Sequence, residues 1–251
     1  MLNIVIPMAG LGKRFSDDED NTPKAFQDVN GKPMFVRVIE NFTYPGARFI
    51  LVARNEHLQS KKELIKEVEK KYNAKFISIE KLTEGTVCTV LYSREDINND
   101  IPLLIVMADQ IVDFEMEEFL NDCSNKNVDG HIMCFLKNEP NPGLSYAKVN
   151  DSGYVSLVKE KKVISNLATA GVYFFSKGKY FVNGAIDMII NNDRVNNEFY
   201  VAPVYNYLIS RKMKIGTYTI DIQQMHDLGT KSKLETYKQR LISKNMDTVA
   251  S

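Results

Sequence analysis

The chain of 251 residues has no surplus of either charge: Lys and Arg number 32, as do Asp and Glu. That balance removes the broad basic field with which a protein holds nucleic acid, and no local basic groove stands out. Long apolar runs are missing too. The longest, Ile101 to Ala108, falls far short of a bilayer's thickness, so no membrane span is expected. The first residues carry neither the charged region nor the cleavage site of a secretory signal. Cysteine is scarce. Cys88, Cys123 and Cys134 are odd in number and lack metal-ligand spacing, which fits a reduced cytoplasm better than a disulfide framework. No serine–histidine or cysteine–histidine arrangement suggests a covalent nucleophile.

What is present is ordinary for a globular protein, 44% apolar and 25% charged, in a length that suits one large α/β domain or two small ones. Leu2–Pro7 is a short apolar run that stops at Gly10 and Gly12, so it reads as a buried first strand feeding a glycine loop. A helix is expected after Pro33, where Phe35, Val38, Ile39 and Phe42 recur at helical spacing. Phe49–Val52 and Phe76–Ile79 read as strands, separated by one amphipathic helix from Glu56 to Tyr72. A helix at Thr86–Ser93 and a strand at Pro102–Met107 follow. Apolar strands without alternation suit a parallel sheet covered on both faces, and the strand–helix alternation suits a doubly wound α/β fold.

The second half turns richer in strands, at His131–Leu136, Tyr146–Asn150, Tyr154–Val158 and Ala168–Phe175, with a hairpin turn at Asn150-Asp151-Ser152-Gly153. Helices at Gly178–Ile190 and Val201–Ser210, a strand at Lys214–Ile220 and a closing helix at Lys231–Leu241 complete the reading. The tail, 245–251, is expected to fray. No repeat or linker divides the chain. It reads as one mixed-sheet domain over 1–251, with a nucleotide-binding half (about 1–125) and a dependent acceptor-binding half (about 126–241).

The glycine loop Met8-Ala9-Gly10-Leu11-Gly12-Lys13-Arg14 can bring backbone N–H groups close to phosphate oxygens. It matches neither a dinucleotide fingerprint, having Phe15 where a third glycine belongs, nor a Walker loop, having no Gly-Lys-Ser/Thr ending. Arg14, Pro23-Lys24 and Gly31-Lys32-Pro33 come with it instead, and arginine forks and movable lysines together suit a triphosphate. Asp109 ends a buried apolar strand, where open α/β sheets collect ligands, although capping the next segment would explain it equally well.

Taken in order, these motifs resemble the N-terminal signature of the sugar-phosphate nucleotidyltransferases, above all the short capsule-type members related to glucose-1-phosphate thymidylyl- and cytidylyltransferases. The likeness runs on through Thr83-Glu84-Gly85, Ala108-Asp109, Glu160-Lys161, Ala170-Gly171-Val172-Tyr173, Asn197-Glu198 and Asp227-Leu228-Gly229-Thr230. It implies a Rossmann-like, GT-A-like mixed-sheet fold. It also implies a pyrophosphorylase-type, EC 2.7.7 reaction in which a nucleoside triphosphate and a small phosphorylated acceptor give pyrophosphate, in the service of capsule or surface polysaccharide precursors. By the same resemblance Ala9, Gly10, Gly12, Lys13, Arg14, Lys24, Gly85, Thr86 and Asp109 meet the nucleotide, with Arg14 and Lys24 catalytic. Glu160, Lys161, Gly171 and Glu198 meet the acceptor, and Asp109 and Asp227 hold Mg²⁺. His226 is read as packing or supporting the site, and the acids Asp17-Asp18-Glu19-Asp20 have no assigned role.

An acceptor phosphate is already largely dianionic at neutral pH, so the reaction asks for alignment and charge neutralisation rather than a general base. In thymidylyl and uridylyl relatives a glutamine meets the base edge, and Glu80 falls at the matching place. A carboxylate only accepts hydrogen bonds, which suits the cytosine amino group and leans toward CTP over UTP and dTTP; a solvated strand-end glutamate is the equal alternative. A glycosyltransferase would normally add a second acid two residues after Asp109, where this chain has Ile111. A non-catalytic nucleotide sensor would be expected to lose Arg14 or a metal carboxylate. Oligomeric state is left open.

Overall fold

The computed structural model describes residues 1–10, 12 and 22–249, with side chains as far as Ser243. The first half alternates as expected: β1 (Leu2–Pro7), α1 (Met34–Asn41), β2 (Ala47–Arg54), α2 (Asn55–Ser60), α3 (Lys62–Tyr72), β3 (Ala74–Ile79), α4 (Thr86–Leu91), α5 (Arg94–Ile97) and β4 (Leu103–Val106). Then come β5 (Gln110–Val112), α6 (Met116–Asn125), β6 (Gly130–Leu136), β7 (Tyr146–Val149), β8 (Val155–Lys159) and β9 (Leu167–Phe175). The chain ends with α7 (Gly178–Ile190), α8 (Val204–Ser210), β10 (Ile215–Ile220), β11 (Met225–Asp227) and α9 (Lys231–Val249).

Among the described residues a nine-stranded mixed sheet runs in the order β10-β6-β9-β4-β1-β2-β3, with the β7–β8 hairpin attached through β9. Strands β3, β2, β1 and β4 are parallel, and β9 runs antiparallel between β4 and β6. The chain leaves β1 toward β2 and β3, then returns to place β4 on the other flank of β1. Loops leaving β1 and β4 therefore part at a switch in strand order, the place where open α/β sheets form a ligand crevice.

Both faces of the sheet are covered. Ile4, Ile6, Leu51, Leu104 and Val106 pack with Phe35, Ile39 and Phe119 on one side; Val5, Ile50, Ile105 and Phe175 pack with Val90, Phe181 and Tyr205 on the other. This two-sided burial is why these strands lack polar alternation. The hairpin turn forms as expected: Gly153 N–H donates to Asn150 O at 2.9 Å, and Asn150 Oδ1 accepts from Ser152 and Tyr154 N–H at 3.1 and 3.0 Å.

Three expectations are corrected. The single helix over Glu56–Tyr72 is two helices, broken at Lys61 (φ −131°), where the Ser60 hydroxyl has turned back to the His57 carbonyl at 2.9 Å. Helix α6 was not expected at all. The closing helix runs to Val249 rather than ending at Leu241, so the segment expected to fray is helical that far. No helix among the described residues is long and apolar enough to cross a membrane.

Candidate active site

A cleft of about 420 Å³ opens at the switch point, and it is built from segments far apart in sequence. Ala9, Gly10 and Gly12 follow β1, whose ladder is prolonged by Met8 N–H donating to Val52 O at 2.9 Å. Lys24 stands on a short 3-10 turn after Pro23 and forms an ion pair with Asp109. Asp109 itself lies in a tight turn between β4 and β5, closed by Gln110 N–H donating to Met107 O at 3.1 Å. Gly85, Thr86 and Glu198 complete the expected lining. Lys13, Arg14 and the run Asp17-Asp18-Glu19-Asp20 lie outside the described residues.

Gly85 shows why its segment belongs here. It has φ +117°, and a Cβ would stand 2.4 Å from Phe199 N and 2.6 Å from Phe199 O. Without a side chain it lets two strands of loop zip together: Phe199 N–H donates to Glu84 O at 2.8 Å, and Val87 N–H to Phe199 O at 3.0 Å. Glu198 is carried to the cleft wall by that contact.

The two candidate metal carboxylates are joined by a small antiparallel ribbon. Strand β11 pairs with β5 so that Asp227 is opposite Gln110, and Leu228 N–H donates to Asp109 O at 2.8 Å. The Gln110 side-chain amide nitrogen stands 3.5 Å from an oxygen of each carboxylate, and its own Oε1 is buried without a partner. Gly229 N–H donates to Asp227 Oδ1 at 2.7 Å. Asp109 lines the first cleft, whereas Asp227 lines a second cavity of about 360 Å³ together with Met225, Tyr237 and Lys233. The carboxylate pair thus stands on the boundary between two spaces. Each carboxylate holds a lysine, Asp109 with Lys24 and Asp227 with Lys233.

This donor set fits a hard divalent cation. It offers two partly exposed carboxylates, and no cluster of three or more His, Cys, Asp or Glu occurs among the described residues. A Mg²⁺ ion held by one or two carboxylates takes the rest of its shell from phosphate and water. His226 is occupied elsewhere: its Nε2 meets Asp113 Oδ2 at 3.1 Å and its ring packs on Tyr237.

Of the expected acceptor residues, Glu198 lines the cleft, whereas Glu160, Lys161 and Gly171 stand outside its lining. Glu160, at the end of β8, is buried and accepts from the Ser145 hydroxyl. Burial raises its pKa, with the Ser145 hydrogen bond and Lys161 opposing and Glu198 adding a smaller push upward. Lys161 adopts φ +51° and places its Nζ against Tyr200, donating to the hydroxyl and standing 4.4 Å from the ring centre. Gly171 has φ +75°, and a Cβ there would stand 2.8 Å from Gln110 Cγ, so only glycine lets β9 press against the residue between the carboxylates.

Glu80 is not brought to the cleft. Ile79 is in register with Arg54, which leaves Glu80 exposed beside Asn55, whose amide approaches Glu80 Oε2 at 3.5 Å. The same segment first reaches the cleft at Leu82 and Thr83. The sequence reading assigned no role in the site to Gln110, Ser145 or Lys233. Lys233 had one visible signal: with Lys231 it puts two cations in the first turn of a helix, where the backbone dipole disfavours them.

A sequence-family profile described as nucleotidyl transferase matches residues 5–243. The bifunctional protein GlmU of Methanococcus aeolicus is 28% identical over 175 residues, 69% of this chain and 40% of that protein. The chain spans half or less of the length of the curated relatives it matches. Among solved structures, the nucleoside-diphosphate-sugar pyrophosphorylase from Vibrio cholerae RC9 superposes with a TM-score of 0.78 at 19% identity, covering 94% of this chain and 99% of that one. The inositol-1-phosphate CTP transferase from T. maritima superposes with a TM-score of 0.73 at 13% identity, covering 94% and 93%. At such identities these two structures speak for the fold alone.

Proposed function

The chain belongs to the nucleotidyl transferase family, and on that premise we propose that it moves a nucleoside monophosphate from a triphosphate to a small phosphorylated acceptor. The acceptor is a sugar phosphate or a related metabolite, the by-product is pyrophosphate, and the setting is the supply of capsule or surface polysaccharide precursors. The observation that carries this reading is the convergence of Asp109 and Asp227 on Gln110 beside a glycine-lined cleft that contains Lys24.

In this reading the half up to about residue 125 binds the nucleotide and the half from about 126 to 241 binds the acceptor. Ala9, Gly10, Gly12, Gly85 and Thr86 cradle the triphosphate and ribose. Lys24 leaves Asp109 for the phosphates, and Arg14, outside the described residues, supplies a forked cation at the phosphorus under attack. Lys161 neutralises the acceptor phosphate and Glu160 accepts a hydrogen bond from the acceptor body. Asp109 and Asp227 hold Mg²⁺, which when bound neutralises charge developing on the phosphates. The work left to the protein is alignment, because the acceptor phosphate needs no deprotonation. The position of Glu80 lends no support to its reading the base, so CTP, UTP and dTTP stand on equal terms.

The test is to incubate the protein with each triphosphate, Mg²⁺ and a panel of phosphorylated metabolites while following pyrophosphate. Release that needs both one triphosphate and one phosphorylated acceptor is expected. Release that is indifferent to the acceptor, or absent from every combination, overturns the proposal.

A further inference from the structure

We propose that Lys233 is the resident counterion of Asp227, and that a divalent cation enters the site only by displacing its ammonium group. This rests on the reading of Asp109 and Asp227 as the metal pair. Before any ion arrives, the two carboxylates are matched by two lysines, Lys24 on Asp109 and Lys233 on Asp227. A doubly charged cation placed beside an unmoved ammonium group would meet like charge at contact distance, so ion binding and lysine departure are coupled.

The two lysines differ in where they can go. Lys24 lines the first cleft, where the triphosphate draws it away from Asp109. Lys233 lines the second cavity, on the other side of the pair, so the nucleotide does not remove it. Asp227 Oδ1 is fixed by Gly229 N–H at 2.7 Å, and Lys233 holds the other oxygen, Oδ2. That oxygen carries no backbone bond and is the one a metal would take.

Helix stability does not explain this lysine. Helix α9 has no acid in its first turn and carries Lys231 and Lys233 there instead, against the positive end of the helix dipole. The favourable partner of Lys233 is Asp227 itself. Its side chain is 54% exposed, against 24% for Asp227, so the ammonium group can swing into water on its flexible stem without unpacking anything.

The experiment is a titration of the nucleotide-free, full-length protein with Mn²⁺, reading the free ion by electron paramagnetic resonance. Lys233→Met is expected to bind Mn²⁺ about twofold to fivefold more tightly than wild type, the range set by a partly exposed ion pair. The gap should narrow at high salt. Lys233→Arg, which keeps the charge, should restore wild-type affinity, and Asp227→Asn should weaken binding in either background. Affinity that is unchanged or weaker in Lys233→Met, with Asp227→Asn still weakening it, overturns this inference and leaves the metal pair standing. A lower melting temperature in Lys233→Met with unchanged Mn²⁺ affinity assigns the lysine to structure and overturns it too. If neither wild type nor Lys233→Met binds Mn²⁺, and the double variant Lys24→Met/Lys233→Met, which frees both carboxylates, does not bind it either, the metal reading fails and takes this inference with it.

Discussion

Asp109 and Asp227 share a ribbon but are anchored differently. Asp109 is held through its main chain, by the turn to Gln110 and by Leu228 N–H, whereas Asp227 is also held through its side chain, by Gly229 N–H. An Asn at either place keeps the shape and, at Asp227, can keep the bond from Gly229. What it removes is the charge facing Lys24 or Lys233. Because both ion pairs are partly exposed, their loss should cost stability no more than about 1 kcal/mol. Turnover is another matter, since the charge acts in a cleft where phosphates must be neutralised. Asp109→Asn and Asp227→Asn are each expected to lower kcat at least roughly 10²-fold with nearly unchanged melting temperature. Pyrophosphate kinetics at saturating Mg²⁺, beside thermal melts, measure both. Near-wild-type turnover in the two variants would remove the metal assignment.

At the scale of elements, the loops after β1 and after β3 use their glycines differently. Gly85 lies close against the Phe199 backbone at positive φ, while a Cβ on Gly10 would meet nothing within 4 Å. Gly85→Ala must strain its own backbone and push Phe199 away, taking Glu198 with it. A loss of about 2–4 kcal/mol is expected, roughly 4–16 °C in melting temperature for a chain of this size, together with lost turnover. Gly10→Ala should melt like wild type and fail only in nucleotide binding. Melting curves that do not separate the two variants would contradict this division. The glycine loop and Asp109 were legible in the sequence because each follows a near-continuous apolar run, Leu2–Pro7 or Pro102–Met107. The ribbon that brings Asp227 to Gln110 was not: β5 and β11 have three residues each, too few to show a period, and their pairing is fixed by the fold around them. Helix α6 did carry a stripe, Met116, Phe119 and Cys123, but acids between these residues hid it. That Glu80 ends its strand was legible, but where its side chain points was not, because strand register has no signature in one sequence.

For the whole molecule, a formal net charge of zero means that global repulsion does not set the response to pH near neutrality. A few buried groups do. His131, on β6, is fully buried, has Nε2 2.7 Å from Asp122 Oδ2, and has no partner at Nδ1. Glycine at 216 is what makes room for it, since a Cβ there would stand 2.5 Å from that Nδ1. Burial outweighs the carboxylate of Asp122 and pushes the His131 pKa from 6.5 down to about 4, with Lys126 adding a smaller downward push. The imidazole is therefore neutral in the fold but takes a proton more readily once unfolded. Stability from this group is present in full above pH 6.5 and is lost as pH falls toward 4, with an upper limit on the order of 3 kcal/mol. Glu160 works in the opposite sense. Its raised pKa favours the fold below the ordinary carboxylate range, and that contribution fades as pH rises through the raised value. The clean measurement uses a background of Glu160→Gln, with stability from urea melts at steps between pH 7 and pH 4. His131→Gln in that background should be less stable at pH 7, having lost a buried hydrogen bond, and should decline less toward pH 4 than its parent. Parallel curves for the two proteins would show that His131 takes up no proton on unfolding, against the neutral, buried imidazole described above.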